Sequence, residues 1–347
     1  MTTMPFWPAE WAPQDGILLA WPHAGTDWAG NLADVELTYA ALVAAISRRQ
    51  RAVVCVADQA VELRMATLLA QAGALPGRIR TVRIEYDDTW LRDSGPITLL
   101  GADGPVLLDF RFTGWGGKFE AGRDDRLVEG LFGRGLFVPA ARRVPVDFAL
   151  EGGAIETDGA GTLLSTWHCL AARHPGRSRA EVEAELARTL AVDRFHWLEH
   201  GALEGDDTDA HIDTLARFAA PDAIVYQGCD DPADPHHAGL AAMAGEIAAL
   251  RDRHDRPYRR FALPWAQPVH AADGRRLAAS YANFLIVNGA VLMPGYGDPA
   301  DAAAARVLAR AFPDRAIEIV PCRPLIEQNG SLHCVTMQLP RGVLAND

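Results

Sequence analysis

Lysine is nearly missing from this sequence. Lys118 stands alone beside 32 arginines, in the run Gly114-Trp115-Gly116-Gly117-Lys118. Position 118 is either a place where a compact ammonium serves and a planar guanidinium fork does not, or a lysine that survives by chance. Cysteine is sparse too: five residues, at positions 55, 169, 229, 322 and 334, odd in number, far apart and without a CxxC pair. Such usage speaks against a disulfide framework and against a structural zinc site. No stretch approaches the roughly 18 apolar residues of a membrane-spanning helix, so no membrane partner is expected. The opening MTTMPFWPAEW lacks a basic segment followed by an apolar one. No secretory leader is therefore expected, and a reducing cytoplasm is the expected location. There is no Lys/Arg-rich run and the net charge is −12, so nucleic acid is not an expected partner. An acidic protein instead raises the local concentration of a cationic ligand. The phosphate-loop pattern GxxxxGK(S/T) is absent, and GWGGK is too short to replace it.

What is present is an ordinary globular composition. The chain has 347 residues, 49% hydrophobic and 22% charged, ample for a large buried core. A strand or hairpin, a helix and a further strand recur five times, in units of about 50–65 residues. Residues 16–57 run from GILLAWPH to RAVVCVA through a helix whose Leu32, Val35, Tyr39, Leu42 and Ile46 share one face. Residues 95–146 hold a hairpin at Asp103-Gly104. Residues 153–200 hold another at Asp158-Gly159, then a helix with Ser178 and Glu181 in capping-box spacing. Residues 211–264 pass from HIDTLARF and AIVYQG through an Ala-rich helix to RRFALP. Residues 281–320 carry a hairpin at Asn288-Gly289 and a helix with Asp298 as N-cap and Pro299 at its first position. SLHCVTMQLP supplies a last strand, Cys334 within it, to complete the first unit. No Pro/Ser-rich linker divides the chain. The alternation is that of an α/β protein. Periodicity alone fits either a closed ring of five ββαβ-type units or a large open sheet.

Polar residues recur at the same interval. Asp93 precedes the second hairpin in TWLRDSGP, Glu151 precedes the third in ALEGGAIETDG, and His211 and Asp213 open the fourth in GDDTDAHID. In a ring of repeats, equivalent positions face one central pocket, where Cys334 would join them. A cysteine needs a base, a helix dipole or a cation to be a thiolate near neutral pH. His211 can be that base and can later protonate a leaving group. Carboxylates crowded round a thiolate raise its pKa unless a cation sits among them. A guanidinium is such a cation, planar and rich in N–H donors that match carboxylates in pairs. Asp93 and Asp213 could grip it and leave its central carbon open to sulfur.

Plainer readings apply to each of these residues. Asp and Gly before a hairpin are usually turn residues. A histidine among acids is commonly a surface residue, and buried structural cysteines outnumber reactive ones. Cys55, in VVCVA, reads as core; Cys169, Cys229 and Cys322 have no acid/base context. His333-Cys334 is a poor metal pair, because neighbours in a strand point to opposite faces. His236-His237 reads as a polar loop before a helix.

Taken together, TWLRDSGP, FRFTGWGGK, LEGGAIETDGAGTLL, GDDTDAHIDTLARF, YANFLIVNGAVLMPGYGD and GSLHCVTMQLP resemble the agmatine deiminases, in this order across nearly the whole chain. These group with the bacterial-type peptidylarginine deiminases in the guanidino-modifying, or pentein, superfamily. The resemblance implies one catalytic domain over residues 1–347. Its fold would be a fivefold pseudo-symmetric α/β propeller built from ββαβ-type units, with no metal and no organic cofactor. The resemblance also implies Cys334 as nucleophile, His211 as general acid/base, and Asp93 and Asp213 as the carboxylates that hold the guanidinium. Glu151 matches the acid that contacts substrate and histidine. Trp90 and Asp207 match positions near the substrate's chain and its far amine. The implied partner is a small cationic guanidine, agmatine, hydrolysed through a covalent thiouronium to N-carbamoylputrescine and ammonia. A homo-oligomer is compatible with the sequence, which does not set the oligomeric state.

The chain departs from the family pattern at three places. Many members read DGH where this chain has Asp209-Ala210-His211. Ser331 stands where a glycine is usual. The stretch STWHCLAARHPGR, 165–177, replaces a more acidic, Asn-rich segment and is expected to be a pocket-rim loop that bears on substrate choice. Alternatives are deimination of peptidyl-arginine or free arginine, amidino transfer to an amine, and a non-catalytic binder of cationic ligands. The intact set of Cys334, His211, Asp93 and Asp213 argues against the binder, which has no need of a thiol.

Overall fold

The computed structural model describes residues 5–346; residues 1–4 and 347, the extreme ends of the expected domain, lie outside the described residues. Five sheets form among the described residues. In the first, β1 (Gln14–Ala20) leads through α1 (Leu32–Ser47) to β2 (Arg51–Val56), which runs parallel to it. The predicted face of α1 is buried at Val35, Tyr39, Leu42 and Ile46. Next, α2 (Gln59–Gln71) begins where the Asp58 carboxylate accepts the Val61 N–H at 2.9 Å, and β3 (Ile79–Arg83) follows, parallel to β2. The sequence reading has no counterpart for α2 and β3. IRTVR is an edge strand with two arginines and little apolar signal, and α2 buries only Met65 and Leu69.

The second sheet follows the one-turn α3 (Leu91–Ser94). It comprises β4 (Ile97–Leu99), β5 (Val106–Arg111), α4 (Gly114–Gly117), α5 (Leu127–Gly133) and β6 (Arg142–Ala149). The third has β7 (Ile155–Thr157), β8 (Thr162–Thr166), α6 (Trp167–Arg173), α7 (Arg179–Leu190) and β9 (Arg194–Leu198). The fourth has β10 (Ala216–Ala220), β11 (Ala223–Gln227), α8 (His237–Ala249) and β12 (Arg259–Leu263). The fifth has β13 (Leu285–Val287), β14 (Ala290–Gly295), α9 (Asp301–Ala311) and β15 (Ala316–Pro321). In these four sheets the first two strands are antiparallel and the third is parallel to the second, the expected ββαβ pattern. Finally β16 (Met337–Pro340) pairs antiparallel with β1, so the end of the chain completes the first sheet as predicted.

The three Asx-Gly hairpins form where expected, and the Ser178–Glu181 capping box is made in both directions. The start of α9 differs from expectation. Ala300, not Asp298, occupies the N-cap position, and the helix begins at Asp301 rather than Pro299. Asp298 closes a separate turn instead: its carboxylate accepts the Ala300 N–H at 2.7 Å and its carbonyl the Asp301 N–H at 3.0 Å.

The described residues fall into two compact units. The first takes in the described residues of Met1–Pro8, Ala12–Gly152 and His333–Asp347, and the second Ala9–Trp11 and Gly153–Leu332. The first unit packs its two sheets and their helices around Leu18, Val53, Leu107, Leu131 and Leu339. The second packs around Leu164, Phe218, Ile224, Met243 and Ile247. Each such side chain contributes about 1.5–3 kcal/mol by leaving water. No described helix is long and apolar enough to cross a membrane.

Candidate active site

Four of the predicted residues share one kind of position, the turn just ahead of a first strand. Asp93 stands four residues before Ile97 of β4, Glu151 four before Ile155 of β7, Asp213 three before Ala216 of β10, and Cys334 three before Met337 of β16.

In the first unit, α3 carries Asp93 and has Trp90 at its N-cap position. Trp90, Asp93, Glu151 and Cys334 are all buried, Glu151 completely. Cys334 does not lie in a strand. It sits in a turn closed by the amide and hydroxyl of Thr336, which donate to the His333 carbonyl at 3.0 and 2.9 Å, and β16 begins only at Met337. The alternation that separates His333 from Cys334 in a strand therefore does not apply here. The Arg92 amide donates to the Cys334 carbonyl at 3.1 Å, and the Arg92 guanidinium donates to Gln338 Oε1 at 2.7 Å. Gly152 lets the Glu151 segment pass against α3, since a Cβ there would lie 2.2 Å from the Arg92 carbonyl oxygen. Backbone contacts around Arg92 thus bring Trp90, Asp93, Glu151 and Cys334 together. Upstream, the Trp28 indole donates to Thr89 Oγ1 at 2.8 Å and its ring lies 5.4 Å from that of Trp90.

Sequence reading missed one neighbour of Asp93. The Trp115 indole N–H donates to Asp93 Oδ2 at 2.9 Å. Trp115 comes from α4, where Gly114, Trp115, Gly116 and Gly117 all have positive φ (61°, 56°, 85° and 87°), a single left-handed turn. A side chain costs roughly 1–2 kcal/mol in that region, which explains three glycines around one tryptophan. Phe112 and Phe119 meet the indole edge-on at 5.0 and 5.4 Å. Lys118, the residue the composition marks out, is exposed, and its amide closes the turn on the Gly114 carbonyl at 2.9 Å. The Gly-Trp-Gly-Gly run itself was the signal available in the sequence.

In the second unit, His211 and Asp213 are 1% and 0% exposed. They flank Ile212 in a turn closed by the Thr214 hydroxyl on the His211 carbonyl at 2.9 Å. Asn283 donates to the Asp213 carbonyl at 3.3 Å. Asp207, half-buried in the preceding loop, accepts the Asn329 amide at 2.8 Å. Arg217 on β10 is fully buried and donates to Glu156 Oε2, Glu10 Oε2 and the Phe284 carbonyl, each at 2.7 Å. Burial alone would lower its pKa. The charges of Glu10, Glu156 and Asp213 outweigh that and hold it above the ordinary arginine value. Asp213 therefore has a permanent cation nearby.

His236 lies, as expected, in the turn just before α8, at its N-cap position, and it is buried there. Its Nδ1 lies 2.7 Å from Asp234 Oδ1, and its Nε2 accepts the Glu204 N–H at 2.8 Å. Trp265 and Arg276 donate to Asp234 Oδ2 at 2.9 and 2.8 Å. Burial opposes the charge on Asp234, but these donors overcome it and hold the carboxyl far below its usual range. One expectation in this unit needs correction: 165–177 is not a loop, and most of it is the end of β8 and the helix α6.

The sequence pattern of the Porphyromonas-type peptidyl-arginine deiminase family matches residues 6–340. The agmatine deiminase of Stutzerimonas stutzeri (strain A1501) is 35% identical over 362 residues, covering 96% of this chain and 95% of its own. A crystal structure from Porphyromonas gingivalis is 44% identical with a TM-score of 0.91, covering 99% of this chain and 100% of its own. A Cys→Ser variant of the C. jejuni agmatine deiminase, solved with substrate bound, is 31% identical with a TM-score of 0.89, covering 98% and 97%. The matched span runs from ahead of β1 to the end of β16 and includes every residue predicted for the site. On that match this chain belongs to the Porphyromonas-type peptidyl-arginine deiminase family.

Proposed function

We propose that this protein is an agmatine deiminase, a hydrolase that converts agmatine to N-carbamoylputrescine and ammonia without metal or organic cofactor. The observation that carries the reading is the burial of Cys334, His211, Asp93, Asp213 and Glu151 in a chain 35% identical to an agmatine deiminase over nearly its whole length. Buried carboxylates are costly unless a cation offsets them. A guanidinium suits the set of Asp93, Asp213 and Glu151, of which Asp213 already has Arg217 nearby, and Trp90 and Asp207 are assigned to the substrate's chain and far amine.

In the proposed reaction Asp93 and Asp213 accept guanidinium N–H bonds and hold its plane. The Cys334 thiolate adds to the central carbon, forming a C–S bond. His211 gives a proton to a terminal nitrogen, the C–N bond breaks, and ammonia leaves a thiouronium. His211 then takes a proton from water, the oxygen adds to the same carbon, C–S cleavage returns the thiolate, and the remaining hydroxyl proton passes to solvent to leave the ureido product. The shared placement of these residues ahead of first strands supports the wider reading. In it, the five sheets are blades of a fivefold pseudo-symmetric propeller, one domain over residues 1–347, whose pre-strand turns meet at the centre. Five cysteines, odd in number and far apart in the sequence, suit a reducing cytoplasm as the proposed location.

A second reading, deimination of peptidyl-arginine, is favoured by the description of the matching family. Ammonia release from purified protein given agmatine, free arginine and an arginyl peptide in parallel separates the two. Release from agmatine alone is expected. Release from the peptide instead moves the substrate, and silence on all three overturns the deiminase reading. Cys334→Ser is expected to abolish turnover with an unchanged circular dichroism spectrum; near-normal turnover would remove Cys334 as nucleophile. Chelator is expected to leave the rate unchanged, and loss that zinc restores would overturn the metal-free mechanism.

A further inference from the structure

Two consecutive residues with side chains, Asp209 and Ala210, take positive φ (66° and 67°) immediately before His211. Each costs roughly 1–2 kcal/mol there. Such strain persists only where the surroundings over-determine the conformation. Here they do. The Asp206 carboxylate accepts the Thr208 amide and hydroxyl and the Ala210 amide, at 2.9, 2.5 and 2.8 Å. Thr166 Oγ1 donates to the Ala210 carbonyl at 2.7 Å. From α6, Arg173 donates through Nη1 to Asp209 Oδ2 at 2.6 Å and through Nη2 to the Thr208 carbonyl at 3.0 Å. The Arg173 side chain is 1% exposed, whereas that of Asp209 is 24% exposed. A guanidinium so deeply buried against one turn is not a solvated surface pair.

We propose that Arg173 is a positioning residue for His211. Its two-pronged grip holds the left-handed pair Asp209-Ala210 and so sets the direction in which the imidazole leaves the backbone. A glycine at 210 would take φ near 67° without strain; with alanine there, the clamp supplies what conformational freedom does not. Both elements fall where this sequence departs from the family pattern, at Ala210 and within 165–177. The proposal rests on the reading of His211 as the acid/base of the reaction.

The test compares the parent with Arg173→Met, Arg173→Lys and the double variant Arg173→Met/Ala210→Gly. Three quantities are measured: thermal stability, amide hydrogen exchange across 206–211, and kcat and KM for agmatine. Arg173→Met is expected to lower kcat roughly 10–100-fold, as small misplacements of a reacting group do, with KM little changed. Exchange at 206–211 is expected to speed up. Adding Ala210→Gly is expected to restore most of the kcat and the slow exchange. Arg173→Lys, which keeps the charge but not the fork, is expected to fall between and covers the case in which Arg173→Met does not fold. Parent-like kcat and exchange in Arg173→Met would overturn the proposal. So would a kcat loss in a folded Arg173→Met that Ala210→Gly leaves unrepaired. His211→Gln is the control: full turnover in it would sink the acid/base reading alone, while the exchange data would still judge the clamp.

Discussion

The indole of Trp115 donates to Oδ2 of Asp93 at 2.9 Å, from the only side chain on a left-handed turn of three glycines. The bond fixes the plane of a carboxylate that, in the proposed reaction, must lie edge-on to a guanidinium. Trp115→Phe keeps the edge-on packing against Phe112 and Phe119 but removes the donor. A hydrogen bond to a charged group contributes about 1.5–3 kcal/mol, so kcat/KM for agmatine should fall roughly 10–100-fold. The melting temperature should barely move. A kcat/KM equal to the parent's would show that Asp93 needs no such support.

Arg217 ties Glu10, near the start of the chain, to Glu156 on β7 within the second unit. Its side chain is fully buried, and both carboxylates are nearly so. Arg217→Met removes the cation and leaves two acids facing each other in the core. The expected loss is about 3–5 kcal/mol in urea denaturation, and neutralising Glu10 or Glu156 in the same background should recover part of it. A loss below about 1 kcal/mol, the range of a surface pair, would contradict the reading.

Asp124 governs the approach to α3 in the first unit. Its buried carboxylate accepts the Asp87 and Asp88 N–H groups at 2.8 and 3.1 Å. Desolvation, opposed by those bonds, lifts its pKa to about 7; desolvation likewise lifts Asp88 to about 6. Both values lie above the unfolded carboxylate's, about 3.9. Between about pH 4 and pH 7 the folded chain therefore keeps protons that the unfolded chain releases. Their contribution to stability is full below that window and is lost as pH rises through it. Asp124→Asn should flatten the decline in urea midpoint between pH 5 and pH 7.5. An unchanged slope in the variant would show that Asp124 is not the group responsible.

Local rules carried much of the fold. The buried face of α1, the capping box before α7 and the three Asx-Gly hairpins each depend on residues within a few positions of one another, so periodicity and turn chemistry reveal them. The candidate residues were legible for a related reason. Asp93 and Glu151 each stand just before a hairpin, and His211 and Asp213 open the next unit, and that recurrence survives in a bare sequence. The Cys334 turn was not legible, because SLHCVTMQLP resembles a strand throughout. What holds it as a turn is Thr336 on the His333 carbonyl and Arg92 from a distant part of the chain.

The sequence by itself determined the order of elements, the kind of chemistry its polar residues can do, and the family. Tertiary structure decided which charges meet. With 33 basic and 45 acidic side chains, nothing local tells that Arg217 takes Glu10 and Glu156, or that Arg173 takes Asp209. A buried charge must find its counter-charge and donors inside the protein, and only the folded chain brings those partners within about 3 Å. The same holds for Trp115: its glycines announce a left-handed turn, but Asp93 as its acceptor is settled by packing.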